Sequence, residues 1–360
     1  MSFAKTSEII KILSKDPEIV ILDEATSALA ENRVKWLLCL ARKLANKGKI
    51  VIFISHRMSE ITDCCDNITI LRNGVVSGNL PINKDLDLDE VVSLMLGRKL
   101  ENYYPKIECH TQQSQLLELH DVHYRSLLNH IDFVLHHGEV LGLGGLAGQG
   151  QAELLLGLYG ICRLEGQVRL NRKAISINSP KEAISHQIAL IPEERGIQGL
   201  FLRLGIDFNI SIPSVDSLSK FGVVDELKEE QLVDRYMKAL SIKAQGRKSA
   251  VQELSGGNQQ KVVMAKIMSC NPELYLMHDI TRGVDVGTKR EMFNIVRKLA
   301  LEGCGILYFS TDVDELVHVC DRVLVMQDGY VRANLEGNEI TKENIIGASI
   351  GVYKSGAKNE

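Results

Sequence analysis

Short apolar runs closed by acids or glycines alternate along this chain with longer stretches of helical spacing. Ile19–Leu22 follows Pro17 and precedes Asp23 and Glu24, the pattern of a buried parallel strand. Asn32–Asn46 returns apolar residues every three or four positions with Arg and Lys outside, which predicts a surface helix. Lys49–Ile54 predicts a second buried strand and Arg57–Cys64 the start of another helix. Ile68–Leu71 and Val75–Gly78 flank Asn73-Gly74, a hairpin signal. Further on, Leu116–Val122 and His130–Leu135 read as antiparallel strands. Glu139–Leu143 reads as a strand entering a glycine-rich loop, and Ala152–Tyr159 as a helix. Pro180–Ile267 reads as a long, mostly helical insertion. Strands alternating with helices of this length predict an α/β fold.

The pattern occurs twice. Pro17–Leu29 (PEIVILDEATSAL) answers Pro272–Val284 (PELYLMHDITRGV), and Asp66–Gly74 (DNITILRNG) answers Asp321–Gly329 (DRVLVMQDG). In both blocks the later copy lies 255 positions on, from Asp23 to His278 and from Asp66 to Asp321. A register kept without a gap marks a duplicated domain. Counting back from Leu116 by that offset places the first copy's start about 140 residues before Met1. The expectation is therefore the C-terminal half of one domain over residues 1–105, a junction at 106–115, and a complete second domain over 116–352.

Composition narrows the class. At 360 residues, 45% hydrophobic and 24% charged, the chain is that of an ordinary globular protein with room for two domains, or one and a half. A net charge of −4 argues against nucleic acid as the main partner. No apolar run of about 18 residues offers a membrane span, and Met1–Ser14 has an amphipathic pattern with no signal-peptide core. The eight cysteines lack CxxC spacing, which favours free thiols.

Two segments carry anion-binding chemistry. Leu254–Gln260 (LSGGNQQ) precedes a helix, so its glycines free backbone N–H groups to face an anion and Ser255 adds a hydroxyl. Gly145–Ala152 (GLAGQGQA) fits the phosphate-loop frame G-x-x-x-x-G-K-[ST] in its glycines alone. Gln151 stands at the Lys position and Ala152 at the Ser/Thr position, while Gly145, Gly148 and Gly150 keep the backbone nest available.

Together with Thr281–Gly287 (TRGVDVG), Ile191–Leu200 (IPEERGIQGL), Gly138–Gly150 and the phrases ILDEATSAL and FISHRMSEI, these segments resemble the ABC-transporter ATPases. The resemblance is to the double-domain subunits that power import of ribose, galactosides and related monosaccharides or nucleosides. It covers essentially the whole chain and implies a P-loop NTPase fold of the ABC ATPase type. The expected architecture is one complete nucleotide-binding domain with a helical subdomain plus the C-terminal half of another.

The resemblance also implies roles. ATP with Mg²⁺ is the expected cofactor pair. Asp23 matches the residue that holds Mg²⁺ through water, Glu24 the one that positions and polarises the attacking water, and His56 the switch histidine on the γ-phosphate. Ser255, Gly256, Gly257 and Asn258 match the signature that closes on ATP across a domain interface. The second copy has His278, Asp279 and Thr311 at the places of Asp23, Glu24 and His56. A histidine nitrogen suits the hard Mg²⁺ ion poorly, so the second site is expected to be inactive. Glu193 and Glu194 fall in a coupling segment, and Tyr124 is either a core residue or an adenine stacker. No lysine of this chain sits in a phosphate loop.

The implied partners are membrane permease subunits and, indirectly, a periplasmic or lipoprotein sugar-binding protein, with the chain at the cytoplasmic face of the membrane. Two other readings stay open: a non-catalytic remnant that docks on the permease, and a soluble ABC protein acting on ribosomes or DNA. The non-basic junction and the altered second site count against the latter.

Overall fold

The computed structural model describes residues 11, 15–23, 25–26, 31–55, 58–72, 74–83, 86, 90–91, 94, 104–105 and 111–353. They fall into two units, Met1–Tyr103 with Asp285–Gly287, and Tyr104–Val284 with Thr288–Glu360.

In unit 1, β1 (Ile19–Asp23) and β2 (Ile50–Ile54) run parallel, with Ile19 opposite Ile50 and Asp23 opposite Ile54. The crossover is α1 (Glu31–Asn46), whose Leu37 and Ala41 pack on Val20 and Leu22. Next come α2 (Met58–Cys64), β3 (Asn67–Arg72) and β4 (Val75–Pro81). The last two form an antiparallel hairpin that turns through Gly74 at φ 79°. Ile61, Ile68, Ile70 and Val91 make a second small core.

Unit 2 opens with a four-stranded sheet, order β6-β5-β8-β9. Its strands are β5 (Gln115–Tyr124), β6 (Leu128–His136), β8 (Glu165–Leu170) and β9 (Lys173–Ile175). A six-stranded sheet, order β10-β13-β14-β7-β15-β16, forms the centre. It contains β7 (Val140–Gly144), β10 (Ile188–Ile191), β13 (Leu274–His278), β14 (Gly305–Phe309), β15 (Arg322–Gln327) and β16 (Tyr330–Glu336). Every neighbour pair in it is parallel except β15-β16. β7, β10 and β14 are buried at every residue, which is why their sequences are apolar without alternation. The α-helices of six residues or more are α3 (Gln151–Leu158), α4 (Pro180–Ser185), α5 (Ile206–Ser211), α6 (Glu226–Ala239), α7 (Gly256–Met268), α8 (Val286–Leu301), α9 (Val313–Val319) and α10 (Lys342–Ser349). A two-residue hairpin, β11 (Ser219–Lys220) and β12 (Val223–Val224), lies between α5 and α6.

Two sequence expectations change: β1 and β2, expected as buried strands, leave Ile19, Ile21, Ile50, Ile52 and Ile54 46–62% exposed among the described residues, and the insertion starts elsewhere. The helical insertion does not begin at Pro180: Ile188–Ile191 pairs with Leu274–Met277 as part of the central sheet. The helical part proper starts at α5.

The duplication holds in three dimensions. β1, α1, β2, α2, β3 and β4 each reappear 255 residues later with the same bounds as β13, α8, β14, α9, β15 and β16. Even the hairpin irregularity recurs, at Ile70/Leu71 and Val325/Met326. So do tertiary hydrogen bonds. Thr26 and Ser55 donate to Glu60 as Thr281 and Ser310 donate to Glu315. Arg42 pairs with Asp66 as Arg297 pairs with Asp321. Burial separates the copies: the side chains of Arg297 and Asp321 are 6% and 5% exposed, those of Arg42 and Asp66 45% and 68%.

Candidate functional site

The glycine loop of unit 2 leaves β7 and enters α3. Gly145, Gly148 and Gly150 have φ of 126°, 83° and 105°, which L side chains rarely adopt. A Cβ on Gly145 would sit 2.3 Å from the Met326 carbonyl oxygen, so the chain needs glycine there for close approach as well. Gln151 is buried and turns back into the loop. Its Nε2 donates to the carbonyls of Gly144 and Leu146, both at 3.2 Å, and its Oε1 accepts from the Gln149 N–H at 3.2 Å. A phosphate-loop lysine would send an ammonium group towards the phosphates, whereas this neutral amide spends its polar atoms on the loop itself.

At the end of β13, His278 and Asp279 occupy the places where unit 1 has Asp23 and Glu24. Burial holds the His278 imidazole at a pKa of about 4, so it is neutral at physiological pH. It faces Glu193 at 3.7 Å without forming an ion pair, and its ring lies 5.0 Å from that of Phe309. Asp279 sits at φ 45°, and burial lifts its carboxyl to about 6. Its Oδ1 accepts from the Thr311 N–H at 2.7 Å and from the Thr311 hydroxyl at 3.1 Å. A neutral histidine, a Thr-bonded carboxyl and an alanine at the hydroxyl position do not fit a Mg²⁺-nucleotide. In unit 1, Asp23 ends β1 with its side chain exposed and suits a hard cation by chemistry. Glu24 and His56 lie outside the described residues.

Ser255 caps α7. Its Oγ accepts from the Asn258 N–H at 3.4 Å and from Asn258 Nδ2 at 3.0 Å, while Asn258 Oδ1 accepts from the Lys243 N–H at 2.8 Å. Gly256 and Gly257 form the first turn, with backbone donors still outside the helix ladder.

The segment after β10 joins these two regions of unit 2. Glu193 forms an ion pair with Arg282, next to His278. The Arg195 guanidinium donates to the carbonyls of Arg282 at 3.1 Å and Gly283 at 3.2 Å. Its Nη2 lies 2.8 Å from where a Gly256 Cβ would be. Lys266 of α7 donates to the Gly199 carbonyl at 2.8 Å and lies over the Phe201 ring. Sequence reasoning singles out Glu193 but misses Arg195 and Arg282. Their only signal is a basic residue in each of two motif segments, IPEERG and TRG.

Tyr124 is half-buried with the Arg125 guanidinium 5.2 Å over its ring. Near it, Asp121 Oδ1 meets His130 Nδ1 at 2.6 Å and His123 Nε2 at 3.0 Å. The His130 backbone N–H donates to His123 Nδ1 at 3.4 Å.

The profile of the family described as "ABC transporter" matches residues 128–282, from β6 to the loop after β13. The chain is 42% identical over 349 residues to the ribose import ATP-binding protein RbsA 1 of Rhizobium johnstonii, covering 96% of this chain and 68% of that protein. It is 38% identical over 346 residues to the ribose import ATP-binding protein RbsA of Bacillus cereus, covering 96% and 69%. Among solved structures it is similar to a nucleotide-free ATP-binding cassette from an ABC transporter (TM-score 0.57, 21% identity, 67% of this chain and 99% of that one). It is likewise similar to an ATP-binding cassette of an ABC transporter in its ADP conformation (TM-score 0.56, 22% identity, 66% and 99%).

Proposed function

This chain belongs to the ATP-binding subunits of ABC transporters, in the double-domain sugar-import branch, and on that premise we propose that it serves import of a monosaccharide or nucleoside. Its ATP-dependent groups are divided unequally between the repeats. Asp23 is the metal ligand, Glu24 the water-activating carboxylate and His56 the phosphate sensor. Ser255, Gly256, Gly257 and Asn258 are the signature, which binds nucleotide phosphate through free backbone N–H groups and a hydroxyl. Gly145, Gly148, Gly150 and Gln151 keep the shape of a phosphate loop without its charge.

The observation that carries this reading is the self-satisfied Gln151 amide beside the Asp279–Thr311 hydrogen bonds. Both take polar atoms that a hydrolytic site needs free, so unit 2 contributes signature and coupling surface and does not turn over its own nucleotide. With no lysine in a phosphate loop, residues 1–360 alone hydrolyse no Mg·ATP. The test is steady-state phosphate release. Turnover by this chain that Glu24→Gln abolishes would overturn the reading. In a chain supplied with a lysine-bearing first phosphate loop, Glu24→Gln and His56→Ala each abolish turnover. Asp279→Asn and Thr311→Ala do not.

A second reading is a docking module without turnover. Ile197, Phe201, Leu204 and Phe208 leave apolar side chains exposed along and after the coupling segment, a surface suited to a permease helix. No helix among the described residues is long and apolar enough to cross a membrane. On this reading, attachment at the cytoplasmic face comes through the permease. Membrane fractions prepared with and without the permease test this, and equal recovery in the soluble fraction sinks it.

A further inference from the structure

Five of the ten histidines of the chain fall between His120 and His137, in and just after the β5-β6 hairpin of unit 2. Val122 pairs with Ile131 across that hairpin, and both are buried. Asp121 and His123 on one strand, with His130 and Asp132 on the other, therefore share the opposite face. The register breaks on either side of Val122, between Leu119 and Val122 and between Val122 and Tyr124. Asp121 and His130 sit at φ 52° and 50°. Irregularities of this kind re-aim side chains.

Here they bring three metal-ligand types together. Asp121 Oδ1 lies 2.6 Å from His130 Nδ1 and 3.0 Å from His123 Nε2, and the three ligand atoms all fall within 4.8 Å of one another. Among the described residues this is the one group of three or more His, Cys, Asp or Glu side chains so disposed. The two imidazole rings are 76° apart in plane with centroids at 4.4 Å, so the rings meet edge to face and do not stack. The backbone under Asp121 is held on both sides. Its N–H donates to Asp132 Oδ1 at 2.9 Å, and its carbonyl oxygen lies 2.3 Å from where a Gly166 Cβ would be. The side chains of Asp121 and His130 are 66% and 64% exposed, so a cation reaches them from solvent.

We propose that Asp121, His123 and His130 form a three-ligand site for a divalent d-block cation of the zinc type, with water in the fourth position. Tetrahedral zinc with bonds of about 2.0–2.2 Å separates its ligand atoms by about 3.3 Å. Small side-chain movements therefore exchange the two carboxylate–imidazole contacts for coordination bonds. Two imidazoles and one carboxylate suit zinc, copper or nickel, and disfavour Mg²⁺, which prefers an all-oxygen shell. One contact opposes binding. A metal on His123 Nε2 leaves the ring proton on Nδ1, so the 3.4 Å contact from the His130 N–H has to open. That contact is long for a hydrogen bond, so opening it weakens the site without abolishing it. The cation would also tie both strands behind the turn whose Leu127 carbonyl abuts the glycine loop, 2.5 Å from where a Gly150 Cβ would be. The site rests on these side chains and is independent of nucleotide turnover.

The full chain, freed of metal with a chelator, is titrated with Co²⁺ and followed by optical absorption. Imidazole and carboxylate ligands give d–d bands alone, whereas ligation by any of the eight cysteines adds a thiolate charge-transfer band. The expected result is one equivalent of Co²⁺ with d–d bands and no thiolate band, displaced by Zn²⁺ and not by excess Mg²⁺. His123→Gln, His130→Asn and Asp121→Asn each weaken binding about tenfold or more. His120→Gln, outside the cluster, leaves it unchanged. Asparagine tolerates the left-handed backbone at 121 and 130, and His123→Gln is a further variant at a position without positive φ. Circular dichroism melts of the metal-free variants matching the parent show that the fold is kept. Absence of any d–d band overturns the proposal, as does a spectrum with the thiolate band, binding that the three variants retain, or displacement by Mg²⁺.

Discussion

Replacing Asp279 by asparagine should stabilise unit 2 at alkaline pH and do little in acid. The carboxyl is 5% exposed and its pKa stands at about 6 against an ordinary 3.8, first because burial disfavours its charge and further because Glu315 and Asp312 are near. The Thr311 donors oppose that rise without cancelling it. The folded state therefore binds the proton more tightly than the unfolded state, so this group's contribution to stability is full below pH 3.8 and is lost as pH rises through about 6. Above both values the ionised form costs about 3 kcal/mol relative to a neutral group, and at pH 4 only about 0.6. The asparagine side chain would keep an Oδ1 acceptor for the Thr311 N–H and hydroxyl but cannot ionise. Asp279→Asn is thus expected to raise unfolding free energy by about 2–3 kcal/mol at pH 8 and by under about 1 at pH 4. Guanidinium titration followed by far-ultraviolet circular dichroism is the suitable assay. The single tryptophan, Trp36, lies in unit 1 and does not report on this site. A variant no more stable than the parent at pH 8, or equally stabilised at both pH values, would refute burial as the origin of the shift.

His278→Gln provides an opposite pH signature. With its folded pKa lowered to about 4 by burial, the native histidine makes stability fall as pH drops from 6.5 towards 4, and the variant should lose that part of the acid sensitivity in the same titration. The duplicated ion pairs offer an internal comparison. Arg297→Ala, which strands a buried Asp321, should cost about 3–5 kcal/mol, while Arg42→Ala at the exposed pair should cost under about 1 by denaturant unfolding. In the glycine loop, Gly145→Ala drives a Cβ into the Met326 carbonyl and should cost more than about 2 kcal/mol. Gly148→Ala meets nothing within 4 Å and should cost only about 1–2 for its left-handed φ. Equal costs would mean that conformation, not close approach, governs the loop.

Much of the architecture is legible in the chain. The 255-residue repeat follows from matching letters, the first strand-helix-strand block from apolar spacing and the first hairpin from Asn73-Gly74, and the repeat carries both over to the second copy. Ile188–Ile191 escapes a reading by pattern because four apolar residues have no usable period, and only pairing with β13 makes them a strand. The candidate chemistry divides the same way. That Gln151, His278 and Thr311 replace charged or metal-binding types is visible in the letters. That Gln151 closes on its own loop, that Thr311 holds Asp279, and that Arg195 ties the segment after β10 to the carbonyls of Arg282 and Gly283 after β13 is not. Arg42–Asp66 and Arg297–Asp321 show why. The same two residue types at the same spacing form an exposed pair in one repeat and a buried one in the other. Local sequence sets which groups meet, but the strands that pack around them set the water and dielectric they meet in, and those strands come from elsewhere in the chain.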